Sequence, residues 1–122
     1  MIKKIELYHN AVEVLPMLKI HKDNKMGYLG LDCYDKAELG NLFKREDRIF
    51  IGSVDEVELN DYSINLLTKI ETKEGNEMET LMIHGCYISD IEPLLKNEEK
   101  IFLGKIKNWM LIIVIMMTRK KK

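Results

Sequence analysis

The stretch "MGYLGLDC", residues 26–33, sets Leu29, Leu31 and Cys33 against Tyr28, Gly30 and Asp32 in strict alternation. A side-chain period of two belongs to a strand with one buried and one wetter face. The same signal opens the chain, where Ile5 and Leu7 alternate with Lys4 and Glu6. It recurs in "DRIFIGSVDEVEL", with a bulge expected at Gly52-Ser53, and in residues 66–72 and 78–84. Short strands therefore dominate whatever this chain folds into.

The turn chemistry between these runs sets the expected architecture. "KEGNE" joins the last two runs, and Gly75 and Asn76 supply the positive φ of a hairpin loop. "HKDNKMG" and "NDYS" read as turns. Residues 12–20 are apolar but contain Pro16, which suits an edge or bent strand. Two further strands are expected at 101–104 and 109–117.

Two short helices complete the pattern. In "DKAELGNLFKR", Asp35 caps, Glu38 occupies the capping-box position, and Leu39, Leu42 and Phe43 share one face. In "SDIEPLL", Ser89 and Glu92 form the box, Pro93 lies in the first turn, and Ile91, Leu94 and Leu95 form the stripe. No internal repeat is read from the sequence. The sum predicts a mainly β (α+β) fold, a small antiparallel barrel or sandwich of about seven strands with two short helices.

Length and charge narrow the function classes. The 122 residues make one domain over 1–118 with a basic tail, 119–122. Apolar residues at 46% and charged residues at 32% fit a globular chain rather than a disordered one. A net charge of −1 gives no footprint for nucleic acid, so no nucleic-acid partner is expected. "MIKKIELYHN" has no apolar leader core, so no secretory signal is expected. "WMLIIVIMM", 109–117, is shorter than the roughly 20 residues that span a bilayer, so no membrane partner is expected. It reads instead as a core or interface strand.

Residues that could carry chemistry are scattered. Cys33 and Cys86 read as free thiols in a reducing compartment. Of His9, His21 and His84, the last lies beside Cys86 in "HGC", and a zinc site would need two more ligands, His21 and Cys33. No CxxC or HExxH spacing supports that, and no metal or other cofactor is expected. Asp55, Glu56, Glu58 and Asp61 read as a solvated charge run that protects an edge. Ser53 lacks a nucleophile elbow, and no phosphate-binding glycine loop occurs. The reading is non-catalytic; an enzyme would have to assemble a site from His84, Cys86 and the acidic strand.

Within about residues 2–95, Ile5-Glu6-Leu7-Tyr8 is followed by Leu39, Leu42, Asp47 and Ile49, and then by Leu81, Ile83, Gly85, Ile88 and Leu94-Leu95. On these residues the order of elements resembles the opening domain of phage tail proteins of the Gp37-like siphovirus type. The resemblance implies a structural or assembly protein of a tail tip or baseplate, in the cytoplasm or the virion. Its partners would be copies of itself or other tail proteins. Trp109, Leu111, Ile113 and Ile115 then form the expected subunit contact, because an apolar strand left over from a small core is buried against a neighbour. The alternative is a small regulatory or antitoxin-like protein-binding module that adds a strand from its partner to an exposed edge.

Overall fold

The computed structural model describes residues 2–85, 96 and 100–113. Seven strands form among them: β1 (Lys4–Tyr8), β2 (Lys25–Cys33), β3 (Ile49–Phe50), β4 (Ser53–Asp61), β5 (Ile70–Glu71), β6 (Glu77–Gly85) and β7 (Lys105–Ile113). Five of them make one sheet in the order β1-β2-β4-β6-β7, while β3 and β5 pair in a second. Every pairing is parallel.

Parallel neighbours require a crossover, and each connection here is long enough to supply one. The chain leaves β1 through a 3-10 helix, His9–Leu18, that buries Val12 and Leu15. It leaves β4 through another, Tyr62–Thr68, that buries Ile64, Leu66 and Leu67. A 3-10 helix repeats every three residues, so Val12 and Leu15 fall on one side and cover the sheet. After β2 the cover is a 3-10 turn, Lys36–Leu39, running into one α turn, Gly40–Phe43. Asp35 caps this segment by accepting from the Ala37 amide, as its position predicts.

In the large sheet each strand thus stacks on the one before, one coil further along the chain. Lys4 pairs with Tyr28, 24 residues on, and Lys25 with Ser53, 28 on. Glu56 then pairs with Thr80 (24) and Glu77 with Lys105 (28). Stacking aligns like residues in inward rows. Ile5, Leu29, Val57 and Leu81 form one, and Leu31, Leu59 and Ile83 belong to the next, all buried. Burying one such side chain stabilises by about 1.5–3 kcal/mol.

The corners alternate in step with the offsets of 24 and 28. Asn24 precedes β2, and its side chain spans the backbone of Ile2, accepting from N–H and donating to C=O, both at 2.8 Å. Asn76 precedes β6 and grips Val54 in the same way, at 3.1 and 3.3 Å. Before β4 and β7 the corner residue is instead glycine: Gly52 at φ +73 and Gly104 at φ +79. A Cβ on Gly52 would lie 2.8 Å from the Asn24 carbonyl oxygen, and one on Gly104 2.1 Å from that of Asn76. Each asparagine corner therefore fits against a glycine corner. The strand ends repeat too, since His9 (φ 56) and Asp61 (φ 55) take the same unusual backbone.

The repeating unit is consequently two coils, 52 residues long, and it shows in the sequence at that offset. Leu7 matches Leu59, Leu15 matches Leu67, Asn24 matches Asn76, Met26 matches Met78, and "IFIG" at 49–52 matches "IFLG" at 101–104. This corrects the expectation of no repeat.

The antiparallel barrel or sandwich is also overturned. Residues 66–72 and 78–84 are not a hairpin: β5 lies in the small sheet and β6 in the large one. "KEGNE" is the corner between them, held by Lys73 N–H to the Gly52 carbonyl at 2.8 Å, with Gly75 at the expected positive φ of 84°. "DRIFIGSVDEVEL" is likewise split at Gly52 into β3 and β4. Residues 12–20, expected as strand, fall largely in the first 3-10 helix, and 101–104 give only a bridge from Phe102 to Glu71. The predicted helix "SDIEPLL" and the tail 119–122 lie outside the described residues. Among those described, no helix is long and apolar enough to cross a membrane.

Candidate functional site

Two surfaces of the large sheet carry side chains that its core does not use. The first is the outer face, opposite the inward rows. Gly30 sits between Glu6 and Glu58 in register, and its missing side chain leaves room for the ring of Tyr28, whose hydroxyl would lie 2.7 Å from a Cβ there. Tyr28 thereby lies across the face and donates to Glu58 Oε1 at 2.7 Å. Burial, followed by this bond, pushes the Tyr28 phenol well above its ordinary value. His84 Nε2 approaches the other oxygen of Glu58 at 3.8 Å.

Asp32 lies beside this pair in the sheet. Its Oδ1 is out of solvent with no hydrogen-bond partner among the described residues. Burial, then the neighbouring Asp61, raise its carboxyl above the usual Asp range, while His9 and His84 pull the other way. On β1, Lys4 pairs with Glu6 at 2.8 Å and Tyr8 donates to the same carboxylate at 2.8 Å. Those contacts hold the Glu6 carboxyl below its ordinary value, the Lys4 bond first.

The metal set considered from sequence does not converge. His21 is exposed and accepts from the Asp23 amide at 3.1 Å. Cys33 is buried on the inward side, where its thiol faces the Asp35 carbonyl at 3.2 Å, whereas His84 points outward. Cys86 lies outside the described residues. No group of three metal-capable side chains occurs among the described residues. The acidic run also needs correction. Asp55 and Glu56 are exposed, but β4 is the middle strand rather than an edge, and Glu58 is engaged by Tyr28 and His84. Strand register is the signal that would have paired Glu58 with these groups, and a single sequence does not display it. His84 thus meets an acid on an open sheet face. The surface hollows at Glu71–Gly75 with Phe102, and at Glu13–Lys19 with Arg45, contain neither residue.

The second surface is the outer edge at β7. Among the described residues this strand has a neighbour on one side only, β6. Trp109 and Leu111 continue the inward rows of Leu81 and Ile83, which are 0% exposed, yet are themselves 38% and 43% exposed. On the opposite side of the strand, Met110 and Ile112 are 43% and 36% exposed. Of the predicted contact residues, Trp109 and Leu111 lie on this edge. Ile113 ends the strand, with its side chain outside the described residues, and Ile115 lies beyond them. No family model, curated protein or solved structure matches the chain.

Proposed function

We propose that this chain is a non-catalytic protein-binding module, a solenoid that takes up a partner's strand along β7. Its coils are offset by 24 and 28 residues, and those opened by β1, β2 and β4 follow the strand with 3-10 or short helical cover, as in leucine-rich repeats. Such stacks present a pleated surface and need something at each end. The observation that carries the reading is the nine-residue edge strand whose Trp109, Met110, Leu111 and Ile112 are all exposed. Unpaired strand edges with apolar side chains recruit further strands. Amide hydrogen exchange on the isolated protein tests this. Amides of β7 are expected to exchange faster than those of β4 and β6, and equal protection would show the edge already occupied.

A second reading is assembly into a phage or prophage tail tip or baseplate. It draws on the resemblance across residues 2–95 and on the same edge, which could pair with its own copy. Light scattering at micromolar concentration distinguishes the two: a ring or larger assembly that Leu111→Lys breaks supports tail assembly, and a monomer supports binding of a different chain.

A further inference from the structure

Resting on the reading of β7 as a docking edge, we infer that its partner is a parallel strand entered through an asparagine, of the form N-x-M-x-x-L-x-(L/I), whose amide grips the backbone of Ile106. The molecule contains this edge three times. Ile2, Val54 and Ile106 stand 52 residues apart in sequence, Ile2 just before β1 and the other two at the start of β4 and β7. At the first, Asn24 clamps Ile2, and β2 follows with Met26, Leu29 and Leu31 inward. At the second, Asn76 clamps Val54, and β6 follows with Met78, Leu81 and Ile83 inward. The inward residues of the third edge, Ile106, Trp109 and Leu111, occupy the positions of Val54, Val57 and Leu59. Two equivalent edges covered in one way define what complements the third.

The clamp also supplies discrimination. One primary amide satisfies both an N–H and a C=O of a single residue, which no apolar or charged side chain can do. A strand lacking it leaves those groups unpaired once the edge is covered. The described residues of a second copy do not offer such a strand, because β2 and β6 each have strands on both sides. The occupant is therefore a segment that carries this pattern and is not already paired on both sides.

The peptide KEGNEMETLMIHG, residues 73–85, is a ready probe, and Trp109, the single tryptophan, is the reporter. Saturable binding with a blue shift of Trp109 emission is expected, together with slowed amide exchange confined to β7. The peptide carrying Asn76→Ala is expected to bind roughly tenfold or more weakly. Equal binding by the two peptides would overturn the asparagine clamp while leaving the edge reading intact. Absence of any binding, or protection at β1 instead of β7, would overturn both.

Discussion

The two corner asparagines are the residues on which the stacking turns. Asn76 is 8% exposed and makes three side-chain bonds, to the Val54 N–H, the Val54 carbonyl and the Leu103 carbonyl. Asn76→Ala leaves those buried groups unpaired and is expected to lower stability by about 2–4 kcal/mol, measured by urea unfolding. Asp32 gives a pH signature. The folded chain holds that proton to higher pH than the unfolded one, whose aspartates titrate near 3.8. The unfolded state therefore binds fewer protons as pH rises above that value, and stability falls toward the raised folded pKa. Asp32→Asn is expected to flatten this decline above about pH 3.8 and to raise the urea midpoint at neutral pH. A midpoint profile parallel to the parent's across that range would show that Asp32 does not drive it.

At the scale of elements, one inward row runs from a closed interior to an open edge. Leu81 and Ile83 are fully buried in β6, so Leu81→Ala is expected to cost roughly 2–5 kcal/mol in a urea titration. Leu111 is 43% exposed, and Leu111→Ala in the same assay is expected to cost under about 1 kcal/mol. The strands themselves were legible: the alternation in "MGYLGLDC" and "IELY" matches β2 and β1. Their pairing was not. A period of two fixes which side chains face inward but says nothing about the neighbouring strand or its direction. The 3-10 segments misled for a related reason. Val12 and Val14 sit in a short apolar run with β-branched residues, which reads as strand until tertiary packing decides otherwise. Gly75 takes the positive φ expected of it and Asn76 does not, because a corner between sheets asks for the same glycine backbone as a hairpin tip but turns its asparagine to the clamp.

For the molecule as a whole, the repeat was hidden by its own alternation. Successive strands are offset by 24 and then 28 residues, so no single strand-to-strand spacing recurs, and only the two-coil period aligns Asn24 with Asn76 and Gly52 with Gly104. The Glu58, His84 and Tyr28 contacts were out of reach for the same reason, since these residues belong to three different coils. The asparagine-to-glycine fit has a further consequence: the length of this architecture is quantised. A single extra coil would set two corners of one kind against each other, a carbonyl against a side chain or a glycine against nothing, whereas a pair of coils joins as the existing pairs do. Splicing a duplicate of residues 53–104 after Gly104 is thus expected to give a longer folded chain with a higher Tm by circular dichroism, and a duplicate of 77–104 alone a lower one.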